Sequence, residues 1–362
     1  MIYSTYTDRI KNIVSQNQQR QIINKANKDG SDLADISNNR KQQILEQINF
    51  SNKIQLNAGQ PLSNILHPTV LQNANIGQHN DFKHLKGTDQ TEMHYIVSVF
   101  IDIAGSTNLH RGYDLEEIFQ ITNTIQSAAI HTCLSVGGQI QRLQGDGVFA
   151  YFGGKNITKK AATEQALIAC SMFTYFVKND LKEVFLGDEI EDIKTRIGID
   201  FGDDNEVMWA TFGLMNVSEL TTLSLHTSLA SKMQAHANEN GIVVGQNIKD
   251  LLQSDEDFFD LVRNAAGEVT KRYIYEDKKK GIHYTQYRFE WYRYLKSLPF
   301  IGCDRDGNLF LLTKDMQNEV RLNNLRKTAS LINSGNAYTN TSGSISEDVT
   351  GIKNQPHRFH YE

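Results

Sequence analysis

Residues 97–110, VSVFIDIAGSTNLH, carry an almost unbroken apolar run into a carboxylate, Asp102, and then break into Ala104, Gly105, Ser106 and Thr107 ahead of a helical pattern. Such a run reads as a strand held inside a covered sheet, so a carboxylate at its end needs a partner that repays its desolvation. The chain supplies a second carboxylate in a similar setting. The strands QIQRLQG and VFAYFG are separated only by Asp146-Gly147, a step that favours a tight hairpin. If the first strand lies centrally beside that hairpin in a β-α-β-β order, Asp102 and Asp146 reach the same edge of the sheet. Two close carboxylates repel, and either a shared proton or divalent cations must hold them together. Hard oxygen ligands suit Mg²⁺ or Mn²⁺, which complete their shells with water and substrate phosphates. Each aspartate also has a plain reading, as an N-cap or as a common turn residue. The small residues after Asp102 tip the balance, because a Gly-Ser-Thr segment opening a helix presents backbone N–H groups to a phosphate chain.

The surrounding pattern predicts the architecture. Residues 115–136 repeat Ile118, Ile121, Ile125 and Ala129 at helical steps and stop at Gly137-Gly138. After the hairpin come a helix from Lys159 to about Lys182, the strands TRIGIDFG and VMWATFG, a helix from about Thr222 to Ala237, and the strand GIVVG. The order β-α-β-β-α-β, then β-α-β, predicts one sheet with helices packed on it. Residues 1–90 are polar, with helical spacing in YTDRIKNIV and RKQQILEQI, and 91–255 carry the patterned core. Residues 256–330 form an extension containing the Tyr-, Lys- and Arg-rich run TKRYIYEDKKKGIHYTQYRFEWYRYLKSL; 331–362 read as a disordered tail. The aromatic-basic run could stack bases or bind an acidic partner, but a strand and helix packed on the domain is the plainer account.

Composition excludes several classes. A formal net charge of −5 over 362 residues argues against binding nucleic acid through bulk charge. Cys133, Cys170 and Cys303 form no CxxC pair, so neither a disulfide framework nor a thiolate metal site is expected. The beginning MIYSTYTDRIKNIV is too polar for a secretory signal and no stretch reaches membrane-spanning length, so the expectation is a cytoplasmic protein with no membrane partner.

In sequence order, FIDIAGST (100–107), Gly145-Asp146-Gly147, Gly198-Ile199-Asp200-Phe201-Gly202 and HTSLASKM (226–233) resemble the motifs of the class III nucleotidyl cyclases, the adenylate and guanylate cyclase family. The resemblance covers about residues 93–250 and implies an α+β, ferredoxin-like βαββαβ catalytic domain with helices on a mainly antiparallel sheet. It implies that Asp102, Asp146 and the backbone carbonyl of Ile103 hold two Mg²⁺ or Mn²⁺ ions. One ion would activate the ribose 3′-hydroxyl for in-line attack on the α-phosphorus; the other would neutralise the triphosphate and the pyrophosphate leaving group. Gly105, Ser106 and Thr107 would approach the phosphates. Ser228 stands at the family's ribose-orienting asparagine and Lys232 at its transition-state arginine, a cation without the bidentate fork. At the two base-reading positions stand Arg142 and Thr221. Arginine donates hydrogen bonds and accepts none, which weighs against adenine. Arg142 as an outward-facing strand residue is the plain alternative.

Arg142, the short AGST motif and the texture of the aromatic-basic extension resemble the bacterial Pycsar pyrimidine cyclases of anti-phage defence. That resemblance implies conversion of UTP, set ahead of CTP, to the cyclic monophosphate, and a separately encoded effector activated by the product. It also implies a homodimer with composite sites, aspartates from one subunit and the Thr221–Lys232 face from the other. Competing readings are a purine cyclase of the same fold and a non-catalytic pseudocyclase that senses a nucleotide. A diguanylate cyclase is disfavoured, since no GGDEF-like run is present.

Overall fold

The computed structural model describes residues 3–26, 75–182, 184–185, 193–252, 258–263, 267–269, 272–279, 281–312 and 314–333. The segment RKQQILEQI and most of the expected tail lie outside these residues. The chain divides into two units, Tyr3–Trp291 and the part from Tyr292 onward.

The first unit begins with α1 (Ser4–Ala26). Tyr3, Tyr6, Ile10, Ile13 and Val14 recur at helical spacing and are buried, and Tyr3 shares a 2.8 Å hydrogen bond with Thr132. After β1 (Glu92–Met93) comes β2 (Ile96–Ala104), the apolar run of the sequence. The helix α2 (Leu115–Ser135) starts at a capping box in which Asp114 and Glu117 exchange side-chain and backbone hydrogen bonds. The hairpin β3 (Gln139–Gln144) and β4 (Gly147–Phe152) follows, then α3 (Lys159–Tyr175), which widens into a π turn over Phe176–Asp180. The core closes with β5 (Lys194–Gly202).

These elements form the expected ferredoxin-like βαββαβ unit. Its strands lie in the order β5-β2-β4-β3, with antiparallel pairing throughout. Beyond β5 the chain makes the antiparallel hairpin β6 (Met208–Leu214) and β7 (Val217–Leu223), then α4 (Leu225–His236) and β8 (Gly241–Gly245), which joins β5 in parallel. The expected helix start at Thr222 is too early. Residues 217–223 pair with β6 as a strand, the β-branched and hydroxyl residues of VSELTTL suiting a half-buried pleat, and Ser224 caps the helix by accepting from the His226 N–H.

The short helix α5 (Gln246–Leu252) and the strands β9 (Phe259–Leu261), β10 (Tyr273–Asp277) and β11 (Ile282–Phe289) complete the unit. Here the aromatic-basic run is built into the sheet. Strand β11 pairs with β8, and the sheet reads β10-β11-β8-β5-β2-β4-β3. The second unit contains most of α6 (Trp291–Ser297), the hairpin β12 (Ile301–Cys303) and β13 (Leu309–Leu311), and α7 (Lys314–Asn333); the Tyr292 hydroxyl donates to the Gly307 carbonyl at 2.6 Å. Among the described residues no helix is long and apolar enough to cross a membrane, and the three cysteines are free and buried.

Alternation along β2 decides what each face does. Val97, Val99, Ile101 and Ile103 are all buried on one face. Ser98, Phe100 and Asp102 lie on the other, the face that α4 covers, where Ser98 and Thr227 share a 2.9 Å hydrogen bond. Helix α4 approaches β5 so closely that a Cβ on Gly198 would lie 2.1 Å from the Ala230 carbonyl oxygen. Replacing Gly198 by alanine is therefore expected to destabilise the fold by about 2–3 kcal/mol through overpacking against backbone; a lower urea midpoint with an unchanged m-value, followed by circular dichroism, checks it.

Candidate active site

Register builds the acidic site. Pairing of β2 with β4 places Ile101 opposite Val148, so the end of β2 runs beside the Gly145-Asp146 turn of the next hairpin. Gln126 on α2 fixes that turn by donating to the carbonyls of Gly145 and Gly147 at 3.1 and 3.2 Å. Just past β2, Gly105 takes a left-handed φ of 90° and turns the chain into a short 3-10 segment, Ser106–Arg111. The Ser106 hydroxyl then donates to Asp146 Oδ2 at 2.5 Å, tying the first motif to the second aspartate. Asp102, Ile103, Gly105, Ser106, Thr107 and Asp146 thus gather at one end of the sheet.

A residue that the motif reading passed over belongs with them. Arg196 stands directly across from Asp102 in the β2–β5 register, and its Nη2 contacts Asp102 Oδ2 at 2.7 Å. Its Nε is buried without a hydrogen-bond partner. A guanidinium donor left unsatisfied beside the Asp102 carboxylate is a group with spare capacity to bind an anion. Nothing in TRIGIDFG singles Arg196 out; only the cross-strand register reveals it.

Among the described residues no cluster of three or more His, Cys, Asp or Glu side chains is assembled for a metal. Two carboxylates with a backbone carbonyl nearby nevertheless fit Mg²⁺ or Mn²⁺, which are commonly bound by one or two carboxylates plus phosphate oxygens and water. Soft or closed sites of the zinc type do not fit this donor set.

Arg142 is paired with a residue that the motif reading did not name. The strand β3 bulges between Ile140 and Arg142, and the bulge turns both Gln141 and Arg142 toward β7. The Arg142 guanidinium forks onto Glu219, with Nε to Oε1 at 3.1 Å and Nη2 to Oε2. Gln141 Nε2 donates to Glu219 Oε1 at 2.9 Å and to the Leu220 carbonyl at 2.8 Å. Thr221 instead shares a 3.2 Å contact with the Tyr151 hydroxyl. A reading by strict strand alternation misses this pair, because alternation breaks at the bulge. On α4, Ser228 donates to the Ser224 carbonyl at 3.3 Å, and Lys232 is exposed. Among the described residues, no hydrogen bond or ion pair joins Arg142, Thr221, Ser228 or Lys232 to either aspartate within one chain.

Residues 88–284 match the model of the adenylate and guanylate cyclase catalytic domain, more than half of the chain. The chain belongs to that family. Within it, the chain is 40% identical over 228 residues to a cytidylate cyclase of Staphylococcus aureus, covering 62% of this chain and 53% of that protein. It is 34% identical over 235 residues to a cytidylate cyclase of Escherichia coli, covering 62% of this chain and 50% of that protein. The chain spans about half the length of these relatives. Among solved structures, the adenylyl cyclase CyaB of P. aeruginosa aligns over 55% of this chain and 95% of its own, at 20% identity and a TM-score of 0.44.

The Asp102–Arg196 pair carries a consequence for metal binding. Asp102 is about one third exposed, so the pair is screened and worth about 0.5–1 kcal/mol. Arg196→Met removes the competitor for Oδ2 and is expected to tighten Mn²⁺ binding to the nucleotide-free protein by about two- to fivefold, the same energy as an affinity ratio. Titration by electron paramagnetic resonance reads this without any turnover.

Proposed function

We propose that this chain is a pyrimidine nucleotidyl cyclase that converts CTP to cyclic CMP and pyrophosphate. The observation that carries the choice of base is the Arg142–Glu219 pair. Cytosine offers one donor, the N4 amine, beside two acceptors, N3 and O2. A carboxylate set against a guanidinium fork is the complementary edge, Glu219 accepting from N4–H and Arg142 donating to the acceptors. Uracil would turn its O4 acceptor toward the carboxylate, an unfavourable pairing. The sequence alone set UTP first; the pair and the relatives named cytidylate cyclase favour CTP.

Asp102, Asp146 and the Ile103 carbonyl would hold divalent ions, which when bound would supply Lewis-acid activation of the 3′-hydroxyl and neutralise the triphosphate. The protein's own groups do the rest. Arg196, with its unsatisfied Nε, turns from Asp102 to the phosphates. The small Gly105-Ser106-Thr107 segment lets them approach its backbone N–H groups. Ser228 orients the ribose, and Lys232 supplies positive charge where negative charge develops. Because the reaction is intramolecular, holding the 3′-oxygen in line with the α-phosphorus contributes much of the rate.

The active form in this proposal is a homodimer. Ser228 and Lys232 make no bond to the aspartates of their own chain, and the β6–β7 hairpin exposes Leu214, Met215 and Val217, an apolar patch that suits a second copy. Cyclic CMP would then act as the messenger that switches on a separately encoded effector in anti-phage defence.

Incubating the protein with each of the four nucleoside triphosphates and Mn²⁺, then separating products, tests the reaction; cyclic CMP is the expected main product. A cyclic purine product would move the assignment to a purine cyclase, and no product from any substrate would leave a nucleotide-sensing pseudocyclase. Glu219→Gln, which places an amide donor against N4–H, is expected to lower kcat/KM for CTP about tenfold or more, with a smaller loss for UTP, as for a mismatched hydrogen-bonding site. Mixing Asp102→Ala and Lys232→Ala chains, each inactive alone, should restore up to about a quarter of the activity, the statistical share of intact composite sites in a two-fold dimer.

A further inference from the structure

A buried polar cluster lies outside the acidic site, under the start of α4. Asp200 on β5 is fully buried and accepts three hydrogen bonds, from the Phe201 N–H at 2.9 Å, His226 Nδ1 at 2.9 Å and the Tyr284 hydroxyl at 2.7 Å. The same imidazole turns Nε2 toward Glu206 Oε2 at 3.3 Å, in the loop between β5 and β6. From α5, Asn247 Nδ2 lies 3.4 Å from Nε2, its amide already donating to the Phe201 carbonyl at 2.9 Å. From β11 the Tyr284 ring packs edge-on to the imidazole at 5.1 Å between centroids. The acidic and phenolic groups that face His226 are therefore Asp200, Glu206 and Tyr284. Gly245 leaves the room for this arrangement, since a Cβ there would fall 2.0 Å from Asp200 Oδ1.

We infer that His226 is an imidazolium clamped between Asp200 and Glu206, and that this clamp is the positioning device that holds the first turn of α4, and with it Ser228 and Lys232, in register with the substrate. The inference rests on the cyclase reading above for what α4 presents, but the clamp itself rests on geometry. Asp200 only accepts and so takes a proton from Nδ1; at Nε2 the Glu206 carboxylate, 3.3 Å away, favours a second proton, since the Asn247 amide nitrogen beside it donates to the Phe201 carbonyl. His226 stands two residues before Ser228 and six before Lys232, and Thr227 between them is tied to Ser98 of β2. The clamp therefore sits on the same helical turn as the ribose position.

The titration directions agree. Burial alone would pull the His226 ring down, but the hydrogen bond and charge of Asp200, joined by Glu206, carry it above the ordinary value of 6.5. Burial raises the Asp200 carboxyl, while the bonds from His226, Tyr284 and the Phe201 N–H hold it back. The Tyr284 phenol is driven far up by burial and by the Asp200 charge, so it stays protonated and donates. A ring whose folded pKa is raised is fully charged below the unfolded value of 6.5, and its contribution is lost as pH climbs through the folded value.

Two measurements on the full chain test the clamp. Nitrogen-15 spectra of the imidazole should show both nitrogens of His226 protonated at pH 6.5, with deprotonation above it, and Asp200→Asn should move that deprotonation to lower pH; a ring that is neutral at pH 6.5, or a midpoint unmoved by Asp200→Asn, overturns the clamp. His226→Gln, which keeps a donor of similar reach, should lower kcat for CTP about ten- to a hundredfold with little change in KM, the signature of a displaced transition-state group. The ratio of wild-type to His226→Gln kcat should shrink as pH rises through the ring's midpoint. Equal kcat values, or profiles that stay parallel, overturn the positioning role. A wild-type chain that makes no cyclic nucleotide overturns the cyclase reading instead, and the imidazole spectra still decide the clamp.

Discussion

The antiparallel register between β2 and β5 is the constraint on which the rest depends. It runs without interruption from Ile96 opposite Gly202 to Ala104 opposite Lys194. Because residues on one pleat face recur every second position, the register that sets Asp102 against Arg196 also sets Ser98 against Asp200. One end of this two-strand ladder is an acidic site balanced by a guanidinium, and the other is the floor on which α4 stands. A slip of one residue would exchange Ser98, Phe100 and Asp102 with the fully buried Val99, Ile101 and Ile103, so register and function are specified by the same apolar pattern.

Much of this was legible in the sequence, because the signals were local. The helix at 115–135, the Gly145-Asp146 turn and the motif FIDIAGST follow from spacing and turn chemistry. What escaped required knowledge of which strands lie side by side. Arg196 looks like any polar residue on a strand until β5 is set beside β2, and Glu219 is invisible while residues 217–223 are divided between a loop and a helix. The bulge at Gln141 is the sharpest case. Period-two alternation turns neighbouring residues to opposite faces, yet a single unpaired residue brings both Gln141 and Arg142 onto Glu219. For the aromatic-basic run the plainer expectation holds where Tyr284, Tyr287 and Phe289 form a strand of the main sheet, but composition gave no hint that Tyr284 would meet His226.

In the proposed reading, lysine at 232 and serine at 228 stand where the family resemblance implies arginine and asparagine, and that changes where precision must come from. An arginine fork brings its own geometry to a phosphate, and an asparagine amide fixes both a donor and an acceptor. A lysine ammonium on a flexible stem is a point charge, and a serine hydroxyl rotates freely. Side chains that specify less leave more to the backbone that carries them. Helix α4 meets this demand from beneath: Gly198 admits the Ala230 carbonyl to within the space of a side chain, Thr227 is tied to Ser98, and His226 is held between two carboxylates. The buried face of the helix is thus fixed at three points, and in the proposed reading this stiff mount is what lets a lysine and a serine on the exposed face be delivered with precision.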